Sequence, residues 1–185
     1  MKQLIILVCA ITLLHSCKSK EKTSYDITKQ DSKGTGSALV NGKSFISTKC
    51  NVVATNGRLA IGIDFYLNEL NRQSIGFFNI NPNKLKQVVY SSVRYVGNNH
   101  YVSIQQNDSC MASFILTDYD VIENVYEVID NASDNLLTIE SYDSSRIKGS
   151  FNITLFRTDI DTRPQTQGMP DTLRITNGKF DVSVQ

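Results

Sequence analysis

The chain has 185 residues, 41% hydrophobic and 20% charged, with 19 Lys and Arg against 18 Asp and Glu. That is the composition of one globular domain, and it excludes collagen-like, coiled-coil and wholly disordered chains. A near-neutral balance supplies no phosphate-attracting field, which excludes a strongly basic nucleic-acid binder.

Residues 1–16 read as a signal peptide. Lys2 is followed by an apolar run from Leu4 to Leu14, interrupted only by Thr12. A bilayer-spanning helix needs about 20 residues, so this run is too short to anchor the protein. Leu14-His15-Ser16-Cys17 resembles a bacterial lipobox, although His15 departs from the usual residue there. The resemblance implies cleavage before Cys17 and lipidation of its thiol and amine, palmitate being the expected amide-linked chain. Two or more acyl chains hold a protein stably on a membrane, where one does not. Removal of 1–16 deletes one base, Lys2, and no acid, leaving a net charge of 18 − 18 = 0.

Residues 17–37 carry the lipid cysteine and a polar stretch whose only large apolar residues are Tyr25 and Ile27. Such a stretch cannot bury enough surface to offset its ordering entropy. It reads as a flexible tether with a reach of roughly 25 Å. Lys18 stands where an aspartate would signal inner-membrane retention, so the expected location is the outer membrane. The basic Lys18, Lys20 and Lys22 around Glu21 favour its periplasmic side.

From residue 38 to 185 the hydrophobic period is two. Leu59, Ile61, Ile63 and Phe65 alternate with smaller or polar residues, as do Ile147, Phe151, Ile153 and Leu155, and then Phe180, Val182 and Val184. This is the pattern of strands with one buried face. The spacing predicts strands near 38–40, 43–54, 58–67, 74–80, 86–96, 100–106, 110–117, 125–129, 135–141, 146–157, 172–176 and 179–184, some of them merged. Asn41-Gly42, Asn56-Gly57 and Asn177-Gly178 predict three hairpins. Asn68 to Gln73 is compatible with one turn of helix. Thr158 to Asp171, with two prolines and a glycine, is the one long connection and reads as a mobile or functional loop. The expected fold is a single all-β domain, an antiparallel sandwich or flattened barrel of about ten strands.

The Ile147-Lys148-Gly149-Ser150-Phe151 strand follows a Tyr-Asp turn and precedes a closing Thr176-Asn177-Gly178-Lys179-Phe180 segment. With the early Asn41-Gly42-Lys43-Ser44-Phe45, this order resembles a Bacteroidetes lipoprotein family of unknown function. The match covers roughly the last 50 residues. Its motifs are turns and core aromatics, so it implies a fold and an envelope location and carries no catalytic residues. Phe151 and Phe180 are expected to be buried.

Few residues point to chemistry. Cys9 leaves with the signal peptide. Cys50 shares a phase with Ile46, Val52 and Ala54, and Cys110 with Ala112, Phe114 and Leu116, so both are expected to face the core. They are either a disulfide, worth roughly 4 kcal/mol for a loop of this length, or two buried thiols. His100 is the one histidine of the processed chain and reads as a turn residue. No Cys-x-x-Cys, His-x-x-x-His or glycine-rich phosphate loop is present, so no cofactor is expected. Eight acids and no base lie between Asp118 and Asp143, and Asp118, Asp120 and Glu123 form a weak cation candidate. That stretch is otherwise a set of solvated or cross-strand paired acids. Asp159 and Asp161 read as solvated loop residues rather than a hydrolase pair. The aromatics are all Phe or Tyr, which leaves Tyr66, Tyr95 and Tyr101 as candidate platforms for sugar stacking. Asp171-Thr172-Leu173 resembles a Bacteroidetes O-glycosylation sequon.

The expected function is therefore that of an envelope lipoprotein whose tethered β-domain has a non-enzymatic binding or structural role. Its partners are the membrane, through the lipid anchor, and a protein or glycan, but no nucleic acid. The alternative is a periplasmic hydrolase using carboxylates or a metal.

Overall fold

A computed structural model describes residues 33–47, 49–66, 71–91, 93–97, 100–103, 109–119, 121–129, 134–159 and 164–184. Among these residues all regular structure is β. The signal peptide, Cys17 and the tether up to residue 32 lie outside the described residues.

One layer contains β1 (Gly34–Val40), β2 (Lys43–Ser47), β11 (Leu136–Asp143), β12 (Arg146–Arg157) and β13 (Thr172–Ser183), in the order β2-β1-β13-β12-β11. The other contains β3 (Lys49–Thr55), β4 (Arg58–Tyr66), β5 (Asn71–Ile80), β9 (Cys110–Asp118) and β10 (Val121–Glu127). Two strands join the layers. β6 (Lys86–Tyr90) pairs antiparallel with β11 and parallel with β9. β10 pairs with β9 and, at Tyr126 and Glu127, with β12. At the opposite side, the Lys33 amide donates to the Cys50 carbonyl at 3.2 Å, and the Ser47 hydroxyl donates to the Asp64 carbonyl. The result is an eleven-stranded sheet wrapped around one core. β7 (Val93–Gly97) and β8 (His100–Ser103) form a separate ribbon.

The core is made by the inward phase of each strand, and aromatic rings cross it. Phe77 of β5 meets Phe151 of β12 edge-on at 4.8 Å, and Phe45 of β2 meets Phe65 of β4 at 5.8 Å. Phe151 also stacks on Phe180 of β13 at 6.4 Å. Both are 2% exposed. Such contacts are worth roughly 0.5–1.5 kcal/mol each beyond the area they bury.

β12 and β13 pair glycine against phenylalanine twice. Gly149 stands opposite Phe180, and Phe151 stands opposite Gly178. A Cβ on Gly178 would clash with the Phe151 ring, and one on Gly149 with the Phe180 ring and the Thr138 carbonyl oxygen. The glycines are therefore seats for the rings, a pairing that sheets use to fill glycine gaps.

Several expected boundaries differ. Gly34–Ser37 belong to β1, not to the tether. The 43–54 strand breaks after Ser47, which reverses the alternation and leaves Ile46 78% exposed while Cys50 is buried. The expected 86–96 strand breaks likewise into β6 and β7. Asn71–Gln73 are strand, not helix. Asn41-Gly42 and Asn56-Gly57 make the expected hairpins, with positive φ at all four residues. Asn177-Gly178 does not. β13 runs through it with one extra residue, so that Phe151 to Ile153 opposes Gly178 back to Ile175. Asn177 takes φ 51° there. Asparagine tolerates this left-handed angle in a bulge as in a turn. The bulge moves the inward phase from Leu173 and Ile175 to Gly178, Phe180 and Val182.

Gly178→Ala should cost roughly 1–3 kcal/mol, because the ring it meets is packed on all sides. At about 2–4 °C per kcal/mol for a domain of this size, the loss is readable in a thermal melt. Gly62→Ala is the control, since no atom lies within 4 Å of its Cβ position. It should leave the melting temperature unchanged or slightly raised. Equal losses in both variants would contradict the seating role of Gly178.

Candidate functional site

The β13 bulge opens a depression of about 510 Å³ on the outer surface of the sheet. It is lined by Ser37 of β1, Ser150, Phe151 and Asn152 of β12, and Asn177, Gly178 and Lys179 of β13. The site follows from strand geometry. Ser37, Lys179 and Ser150 are direct neighbours across three strands. An extra residue in β13 lifts its backbone at Asn177, and the freed amide donates to Asn152 Oδ1 at 3.0 Å. The arrangement sets two hydroxyls, two carboxamides and one ammonium together on rigid strands.

A second polar cluster lies where β10 meets β12. Asn124 and Tyr126 are fully buried, and Arg157 and Asp159 nearly so. Asn124 Nδ2 donates to the Pro164 carbonyl at 3.2 Å and to Asp159 Oδ2 at 3.4 Å, while its Oδ1 accepts the Thr166 amide at 3.0 Å. The Thr166 hydroxyl donates to Glu123, and that of Thr158 to Glu127, both at 3.1 Å. The Arg157 amide donates to the Asp171 carbonyl at 2.9 Å. The Asp171 carboxylate stands 3.2 Å from Arg157 Nε, an ion pair by distance though not aligned as a hydrogen bond. Burial pushes the Tyr126 phenol up to about 12, with Arg157 opposing and Asp159 and Asp171 adding to the rise. These bonds pin residues 164–171, and Met169 packs against the core. This part of the 158–171 connection is a fastened strap, so of the two readings, mobile or functional, the mobile one does not hold for residues 164–171. Asp159 is part of the buried cluster, which corrects its reading as solvated. Asp161 lies outside the described residues.

The two cysteines are separate buried thiols. Cys50 stands on the rung of Ile63, Ile75 and Phe114, whereas Cys110 is four residues from Phe114 on β9. Three strand spacings of about 4.8 Å separate their strands, too far for a disulfide, which needs Cα atoms within about 7 Å. Burial pushes both thiols up to about 12; at Cys50 a hydrogen bond with Ser47 opposes this and Asp64 adds to it.

Asp118 ends β9, and Glu123 sits on a bulge of β10 bonded to Thr166. Asp120, the third member of the cation candidate, lies outside the described residues, among which no three His, Cys, Asp or Glu side chains gather. The side chains of His100, Tyr66, Tyr95 and Tyr101 lie outside what the structure describes. The depression was not foreseen from the sequence. Its only signal was the Asn-Gly pair, which marks positive φ without telling a bulge from a turn. No protein-family model, curated protein or solved structure matches the chain.

Asn124→Ala should remove the strap's anchor and leave the Pro164 carbonyl and the Thr166 amide without it. A loss of about 1–3 kcal/mol is expected in a denaturant titration. An unchanged midpoint would mean that the strap is held otherwise.

Tyr126, Cys50 and Cys110 are all neutral when protonated, and each is held above its unfolded value. Their contribution is complete below about pH 9 and is lost as pH rises toward 12, because the unfolded chain releases protons that the folded chain retains. The melting temperature should fall across that window, and less steeply in Cys110→Ala. At pH 8 neither thiol should react with a disulfide reagent until denaturant is added. Rapid labelling of the folded protein would contradict their burial.

Proposed function

We propose that this protein is an outer-membrane lipoprotein, anchored through Cys17 and facing the periplasm, whose β-domain is a recognition module rather than an enzyme. Its affiliation with the Bacteroidetes lipoproteins rests on the Ile147–Phe151 and Thr176–Phe180 segments. The observation that carries the binding role is the depression at the β13 bulge. Ser37, Ser150, Asn152 and Asn177 offer donors and acceptors in fixed positions, with Lys179 beside them. A polyhydroxylated ligand such as a glycan matches that set, because each hydroxyl both donates and accepts. Strand positions hold such groups more precisely than a loop does.

Two experiments test this reading. Cys17→Ser should move the protein from the membrane to the soluble fraction or leave its signal peptide uncleaved; an unmodified Cys17 in the intact mass of the membrane-bound protein would overturn the anchor. Ser150→Tyr, which fills the depression from the outer face, should abolish the thermal stabilisation produced by a bound soluble oligosaccharide while leaving the unliganded melt unchanged. Failure of every neutral and acidic oligosaccharide to shift the melt would overturn the binding role.

A further inference from the structure

The depression is one part of a longer polar rung. Reading the pairing across the sheet, Ser37 adjoins Lys179, Lys179 adjoins Ser150, Ser150 adjoins Thr138 of β11, and Thr138 adjoins Lys86 of β6. All five are on the outward phase. Strand spacing of about 4.8 Å puts Lys179 and Lys86 roughly 14 Å apart, with two hydroxyls between them. Beside this rung, Asn152, Leu136 and Val88 make a second one, a carboxamide followed by two half-buried aliphatic side chains.

Bases outnumber acids on this face. Lys86, Lys148, Arg174 and Lys179 are exposed on it. The acids on its strands are Glu140, Asp143 and Asp181, and Asp134 is exposed just before β11. Asp181 accepts from Arg146 Nε at 2.5 Å, and Asp143 accepts from the Ser145 hydroxyl and two turn amides. Both carboxyls are held below the ordinary range, Asp181 first by its bond to Arg146 and Asp143 first by the Ser145 hydroxyl. Among the described residues no carboxylate lies within ion-pair distance of Lys179 or Lys86. The acids Glu123, Asp159 and Asp171 belong to the strap cluster, away from this face.

We propose that the outer face of β1, β13, β12, β11 and β6 binds a linear acidic polysaccharide laid across the strands, its carboxylates on Lys179 and Lys86 and its hydroxyls on Ser150 and Thr138. The argument is charge complementarity combined with register. Two ammonium groups with no carboxylate in ion-pair reach among the described residues flank two hydroxyls, and an aliphatic strip lies alongside for the sugar faces. Tyr90 of β6 is exposed on the same phase as Lys86, so single-stranded DNA is the comparator that separates a carboxylate ligand from a phosphate one. The proposal rests on the glycan-binding reading above and adds the sign of the ligand and its direction across the sheet.

The test uses full-length protein in detergent and polygalacturonate oligomers as probe, with two comparators: the same oligomers with their carboxyls reduced to alcohols, and single-stranded DNA of equal charge. Polygalacturonate is expected to bind at low salt and to weaken as salt rises. Lys179→Gln and Lys86→Gln should each lower affinity several-fold, and together at least about tenfold, with unchanged melting temperature. Arg58→Gln, on the other layer, should leave binding unaltered. Equal binding of the reduced oligomers would overturn the acidic preference while leaving glycan recognition standing. Equal binding of DNA, or full affinity in the double variant, would overturn the site. Absence of binding to either oligomer would overturn this proposal and count against glycan recognition as well.

Discussion

The structure depends on the double exchange of glycine and phenylalanine between β12 and β13. Each strand gives up one side chain so that its neighbour can lay a ring across the vacated backbone, and the two rings then stack. Phe151 reaches from this pair to Phe77 on the opposite layer, so the exchange fixes the register of one pairing and the spacing of two layers at once. Interiors packed as densely as crystals transmit such a constraint rather than absorb it. The bulge follows from it. β13 must present Phe180 and Gly178 inward and also Ile175 and Leu173, and these sit at incompatible parities unless one residue is inserted between them.

The polar interior has a different logic. Asn124, Tyr126, Arg157 and Asp159 are buried where β10 crosses to β12 and the strand ladder is only two residues long. A sandwich corner leaves backbone groups unserved, and side chains together with a short length of strap take over that task. Arg157 is 7% exposed at its side chain, against 63% for its partner Asp171, so that pair is screened on one side and contributes less than its distance implies. The carboxamide of Asn124, with three bonds to fixed partners, holds the strap more firmly than the ion pair does.

Much of the fold was legible because alternation is a local property. The span of β12 and the inward phases of β4, β9 and β12 follow directly from period-two patterns. The parity changes were not legible. Ile46 and Cys50 share a phase on paper, and only the break after Ser47 separates them. Asn177-Gly178 carries the chemistry of positive φ, which serves a hairpin and a bulge equally well; long-range pairing with Phe151 decides between them. The candidate site was illegible for the same reason. Ser37, Ser150 and Lys179 are far apart in the chain, and nothing in any one segment marks them as neighbours. Arg157 and Asp159 belong to a polar segment that reads as solvent-facing until the strap covers it.

The first strand of the domain, Gly34–Val40, is held between β2 and the last strand, Thr172–Ser183. The sheet therefore cannot finish assembling on a growing chain. Until its final dozen residues are delivered, β1 and β12 each lack a neighbour and Phe151 has no glycine to rest on. Pairings of such long sequence separation form late and slowly. A chain built this way closes its sheet only when β13 docks, so truncation within Thr172–Ser183 would strip a neighbour from both β1 and β12 at one stroke.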